Sequence, residues 1–329
     1  MWLSPALFLI LIRILTRVCL VVSSPSLFIS WVGLELNTLA FIPFLLSKKS
    51  KLAREASIKY FLTQTLASIL ILVGGLVFLS PLEDLRTLVL LLGLRIKLGA
   101  APFHRWVLSV AEARGWLSIF TLLTIQKVNP LLILWIFCPL RIEFFYGVVL
   151  SSLVVGGLTG LTQTRIRSIL TFSSINHVGW LMIAISFGLG VGVYYFLIYL
   201  ATLLCSIIIF HIFNVSHVNQ LSLLNFKPSN QLLIFFALLS LGGLPPFLGF
   251  LPKWIVLQLT ISYSILLVAG VMVSMSLLVL FFYLRLIFSS FIIGGLSFTT
   301  FIKAPLPLPI FFILLFAMSG GGLALAYFL

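Results

Sequence analysis

Residues 91–106 read LLGLRIKLGAAPFHRW, an apolar run with Lys97 near its centre and with Gly99 and Pro102 where a helix should be most regular. Proline removes a backbone donor and its ring collides with the preceding turn, so a helix through this stretch must break or unwind. A second stretch, LLSLGGLPPFLGFLPKW at 238–254, is interrupted more heavily, by Gly242, Gly243, Pro245, Pro246, Gly249 and Pro252. Irregular backbone survives at membrane depth where protein buries it or where it lines a wet cavity, and a pair of interrupted apolar helices points to a transport site. Two simple proline kinks are the plainer alternative.

The surrounding composition sets the class. Of 329 residues, 62% are hydrophobic and 8% charged, with mean hydropathy +1.28, whereas soluble domains carry about a quarter charged residues. Apolar runs long enough to cross a hydrocarbon core of about 30 Å recur from end to end. Polar, proline and glycine punctuation divides them near 5–22, 25–46, 56–79, 85–110, 116–138, 144–162, 168–188, 192–214, 231–258, 261–288 and 306–328. Backbone groups in lipid must be satisfied within their own segment, and no alternating ten-residue pattern suggests a barrel. The expectation is an all-α polytopic membrane protein of about eleven transmembrane helices, a single domain over 1–329, with helices broken near 97–104 and 242–253. The broken spans are the fourth and the ninth, an odd step of five along the chain, so they run in opposite directions, as inverted repeats require. A Pro-Phe pair followed by a basic-Trp pair recurs in both.

The first run holds Arg13 and Arg17 and has no small-residue cleavage site, so it reads as a helix rather than a signal peptide. Cys19, Cys138 and Cys205 are scattered through apolar runs and read as packing residues. Loops on the amino-terminal side carry Lys48, Lys49, Lys51, Arg54, Arg114, Arg165, Arg167, Lys227 and Lys303, against Arg86 and Arg141 opposite. The positive-inside rule turns the amino terminus to the cytoplasm or its equivalent. A net charge of +14 then answers anionic headgroups rather than nucleic acid.

Ionisable residues at mid-depth carry the functional signal. Glu35, Lys97 and Lys127 each occupy the centre of an expected span, where a charge costs about 2.5–3.5 kcal/mol on insertion scales. An opposite charge nearby favours the charged form of both Lys and Glu, so moving one partner shifts the other, which is what a proton relay needs. Glu35 could instead neutralise a structural partner. Snorkelling is geometrically strained for Lys97 and Lys127, while Lys253, near a span end, fits either snorkelling or function. His177, within TFSSINHVGW, suits a proton relay or a helix–helix hydrogen bond. The four histidines show no metal-ligand spacing, and no nucleotide or flavin motif is present.

Six blocks, SWVGLELNTLAFIPFL (30–45), EASIKYFLTQTLAS (55–68), KLGAAPFHRWV (97–107), TIQKVNPL (124–131), SSINHVGWLM (173–182) and LSLGGLPPFLGFLPKW (239–254), span most of the chain. Together they resemble the NADH dehydrogenase subunit 2 family, among the antiporter-like subunits of respiratory complex I. The resemblance implies a proton-pumping subunit of the inner mitochondrial membrane, with its amino terminus toward the matrix. Partners would be other membrane-arm and accessory subunits and anionic phospholipid such as cardiolipin. It implies no cofactor in this chain, with FMN, iron–sulfur clusters and ubiquinone in partner subunits. Glu35 matches the family's channel glutamate, Lys97 its broken-helix lysine, Lys127 the central connecting lysine and Lys253 the lysine of the second break, with His177 along the hydrated axis. Arg13 and Arg95 depart from the pattern, and Arg13 is expected to compete with Lys97 for Glu35. A free-standing cation/proton antiporter and a structural membrane scaffold are the alternative functions.

Overall fold

Helices form where the sequence is apolar and free of glycine–proline clusters, and they end where those clusters fall. The computed structural model describes residues 5–24, 26–47, 50–76, 83–113, 115–137, 143–223 and 228–292. Backbone contacts divide the chain into two units, Met1–Ser152 and Leu153–Leu329. The first contains α1 (Pro5–Val22), α2 (Leu27–Leu46), α3 (Lys51–Leu76), α4 (Glu83–Leu98), α5 (Arg105–Glu112), α6 (Trp116–Leu123), α7 (Ile125–Phe137) and the start of α8 (Glu143–Leu161). The second takes the rest of α8, then α9 (Ile166–Phe187), α10 (Leu189–Ile212), α11 (Val218–Leu223), α12 (Pro228–Gly242), α13 (Phe250–Ser262) and α14 (Leu266–Ile292).

Seven stretches among the described residues are long and apolar enough to cross a membrane, at 27–46, 51–76, 116–137, 144–161, 166–187, 189–212 and 266–291. The fourth and ninth expected spans appear as half-helix pairs, α4 with α5 and α12 with α13, broken at 99–104 and 243–249. Each break begins on a glycine in the left-handed region, Gly99 at φ 68° and Gly243 at φ 75°, where a side chain would meet its own backbone. The eleventh expected span, 306–328, lies outside the described residues.

One division was not expected. The fifth span separates into α6 and α7 at Thr124, whose N–H bonds the Phe120 carbonyl while its own carbonyl accepts from Lys127 N–H at 2.9 Å. Pro130, inside α7, has no N–H to return to the preceding turn, so the backbone leading into Lys127 departs from a regular ladder.

Small residues bring α3 and α4 together. A Cβ on Gly93 would lie 2.7 Å from Ile71 Cγ1 and 2.9 Å from the Ala67 carbonyl, and one on Gly74 would lie 2.8 Å from Leu90 Cγ. Such backbone-to-backbone approach is how membrane helices gain contact where no hydrophobic force separates them from lipid. Lys97 is four residues beyond Gly93 and therefore shares its face, which directs it toward α3. In the second unit α9 is the enclosed element, buried at Ile166 and from Ser168 through Ile185. Gly93→Val should force α4 from α3 and destabilise the first unit by about 1–3 kcal/mol. A lowered thermal unfolding midpoint checks this, and an unchanged midpoint contradicts the close approach.

Candidate functional site

In the first unit the site starts from Glu35 on α2. Its carboxylate accepts hydrogen bonds from Ser68 Oγ on α3 and from Thr38 Oγ1, the latter at 3.0 Å. Trp31 Nε1 donates to the Ser68 carbonyl at 2.9 Å and holds that segment of α3 against α2. Lys97 occupies the last turn of α4, where the negative end of the helix dipole favours a cation. Its Nζ has no hydrogen-bond partner among the described residues. Glu35 is near enough to act on it electrostatically, yet the two make no contact ion pair. Arg13, expected to compete for this carboxylate, is exposed and makes no contact ion pair with it, while hydroxyls from α2 and α3 bond the Glu35 oxygens.

A second layer links these helices to α7. Asn37 Nδ2 donates to Gln126 Oε1 at 2.9 Å, and Tyr60 OH donates to the same oxygen at 3.4 Å. Gln126 immediately precedes Lys127. Around this network Asn37 Oδ1, Gln64 Nε2, Gln126 Nε2 and both polar side-chain atoms of Asn129 are buried without a partner among the described residues. Buried polar atoms in such a cluster are satisfied by internal water.

Arg95, which the sequence left without a role, clamps the first break. Its Nε donates to the Ala101 carbonyl at 2.6 Å, Nη2 donates to the same carbonyl, and Nη2 reaches Ser151 Oγ on α8 at 3.2 Å. The Arg95 guanidinium also lies 5.7 Å from the Phe103 ring centre. A carbonyl freed by the unwound backbone thus has a permanently charged donor.

The second unit repeats the arrangement with a different cation. Lys253, in the first turn of α13, donates from Nζ to the Gly242 carbonyl at the end of α12, at 2.8 Å. It also sits 5.9 Å from the Trp180 ring centre. Trp180 stacks on Tyr195 with centroids 6.3 Å apart, and Tyr195 OH lies 2.9 Å from His177 Nδ1. His177, Tyr195, Tyr199, Thr202 and Ser240 line a small cavity, about the size of one water molecule, that reaches Gly249 and Pro252 beside the break.

Lys97, Lys127 and Lys253 are 5, 4 and 6% exposed, so none reaches an interface by snorkelling, the course left open for Lys253. The structure joins Glu35, Lys97 and the Gln126 network in one unit, and joins Lys253 to His177 through Trp180 and Tyr195 in the other. Sequence reading missed Tyr60, Gln64 and Ser68, although their four-residue spacing marks one polar stripe on α3. Tyr195 and Tyr199 gave no such signal, since aromatic residues are ordinary in an apolar helix.

A family model described as NADH:quinone oxidoreductase/Mrp antiporter, transmembrane, matches residues 24–86 and 77–280. NADH-ubiquinone oxidoreductase chain 2 of Anopheles gambiae is 40% identical over 295 residues, covering 86% of this chain and 85% of that one. The protein of the same name from Branchiostoma floridae is 37% identical over 302 residues, with 86% and 85% covered. A chain of respiratory complex I from Thermus thermophilus with bound aureothin shares 25% identity at TM-score 0.82, over 94% of this chain and 75% of that one. A chain of the Mrp complex from Dietzia sp., 19% identical at TM-score 0.76, covering 88% of this chain and 61% of its own, shares the fold.

Arg95→Leu removes the charged donor from the Ala101 carbonyl and should destabilise the first break by about 1–3 kcal/mol. Arg95→Lys, with a single ammonium in place of the fork, should fall between. Thermal unfolding of the purified protein orders the three, and equal midpoints contradict the clamp.

Proposed function

The chain belongs to the NADH:quinone oxidoreductase/Mrp antiporter transmembrane family, and on that premise we propose that it is a proton-translocating membrane subunit of respiratory complex I, its chain 2. The observation that carries the reading is Lys97. A buried ammonium without a hydrogen-bond partner among the described residues, within electrostatic reach of Glu35, is suited to exchanging a proton with water. Holding an unpaired charge there is costly, so Glu35 sets the proton occupancy of Lys97. When the carboxylate is charged and close it favours the ammonium, and when it is neutralised or drawn away the proton leaves.

Within this reading Lys127 receives and passes on protons beside the Gln126 network. Lys253 and His177 do the same in the second unit, around the cavity lined by Tyr195 and Tyr199. The two units act as one proton-translocating domain. Electron transfer from NADH to ubiquinone takes place on FMN and iron–sulfur clusters in partner subunits, with no redox site in this chain. The chain lies in the inner mitochondrial membrane with its amino terminus toward the matrix, its basic loops facing anionic phospholipid such as cardiolipin. An independent cation/proton antiporter could use the same lysines, and a structural scaffold would not need them.

Gently solubilised membranes resolved on a native gel and stained for NADH oxidation should carry this chain in a very large oxidising assembly. Its presence only in a small particle without that activity would favour the antiporter. In the assembly, Lys97→Ala and Glu35→Gln should each lower NADH-driven proton translocation several-fold. NADH oxidation by a water-soluble artificial acceptor should hold. Undiminished translocation in both variants, with reduced assembly alone, would leave the scaffold.

A further inference from the structure

Arg13 stands close to the midpoint of α1 (Pro5–Val22) and is exposed on the surface of the chain. Leu20, two turns on, and the flanking Ile12 and Leu15 are 45, 41 and 52% exposed, while the exposed Thr16 turns its hydroxyl back to the Arg13 carbonyl at 2.9 Å. α1 packs on α2 and α7, burying Ile14 and Val21, and leaves this side open. Arg17, one turn on, is half-buried.

A guanidinium keeps its proton in proteins, so Arg13 has no neutral form to adopt in an apolar setting. Headgroups lie about 15 Å from the centre of a hydrocarbon core of roughly 30 Å, beyond the reach of its side chain. The chain itself offers little compensation, with 20 basic residues against 6 acidic ones. Glu35, the acid carried in the middle of the adjacent α2, is already bonded to Ser68 and Thr38. The charge balance therefore calls for an acid from outside the chain.

We propose that the α1 face bearing Arg13 is an interface with another membrane subunit, whose spanning helix presents an Asp or Glu carboxylate at the depth of Arg13. The flanking Ile12, Leu15 and Leu20 would pack against that helix around the pair, and a planar, multidentate donor suits a carboxylate in that setting. This inference rests on the chain being part of a larger membrane assembly.

The test turns on the sign of a substitution in the assembled complex. If Arg13 is paired, Arg13→Leu strands the partner's carboxylate, and the amount of assembled complex should fall several-fold while Arg13→Lys retains most of it. If Arg13 faces lipid, leucine removes a charge from hydrocarbon, and unchanged or increased assembly overturns the proposal. An electron cryo-microscopy map of the unaltered complex decides the case even if the leucine variant fails to fold. A carboxylate of another subunit within about 4 Å of the guanidinium, the ion-pair limit, is expected, and acyl chains or a lipid phosphate there overturn the proposal. A chain found in no large assembly defeats the proposed function, whereas a lipid-facing Arg13 within the assembly defeats this interface alone.

Discussion

Backbone amides and carbonyls inside a hydrocarbon layer have no bulk water to turn to, so every interruption of a spanning helix needs an internal partner for the groups it frees. Both breaks in this chain meet that demand with a basic side chain. At the first, the Arg95 guanidinium takes the Ala101 carbonyl and ties it to Ser151. At the second, the Lys253 ammonium takes the Gly242 carbonyl. The left-handed glycines Gly99 and Gly243 permit the turn, and the cations hold what the turn exposes.

The two solutions differ chemically. A guanidinium stays charged and offers a fixed fork, whereas an ammonium is a compact point charge with three rotatable donors that can exchange its proton. Because Arg95 holds the first break, Lys97 has no backbone carbonyl to support. Its Nζ is left within electrostatic reach of Glu35, with no acceptor of its own among the described residues. In the second unit Lys253 combines both tasks, holding the break and lying beside Trp180 and the cavity that His177 lines.

Buried amides complete the arrangement. Asn37, Gln64, Gln126 and Asn129 each leave at least one polar atom without a protein partner, an expensive choice unless water supplies the bond. Their grouping on α2, α3 and α7 ties the surroundings of Glu35 and Tyr60 to those of Lys127. The step in the backbone at Thr124 lies in the turn before Lys127, where Pro130 has already removed a ladder bond. Acid, lysine, amide and loosened helix thus occur together where a proton has to be handed on.

Much of this was legible in the residues alone. Composition and run length dictate spanning helices, because hydrocarbon tolerates little else. Gly99 with Pro102, and the glycines and prolines of 242–252, dictate where two of them break. A charge at the centre of an apolar run marks Glu35, Lys97 and Lys127, since its cost needs a reason. The sequence did not show which way each helix is turned about its axis. That rotation follows from contacts such as Gly93 against Ile71 and Gly74 against Leu90, between residues far apart in the chain. It decides that Ser68 and Thr38, rather than Arg13, hold the Glu35 carboxylate. It also decides that Arg95 serves the break while Lys97 is left without a hydrogen bond, and that Lys253 turns inward to Gly242 instead of outward to the interface. An apolar stripe constrains helix rotation only loosely when lipid and protein interior are equally apolar, so close packing of small residues had to settle it.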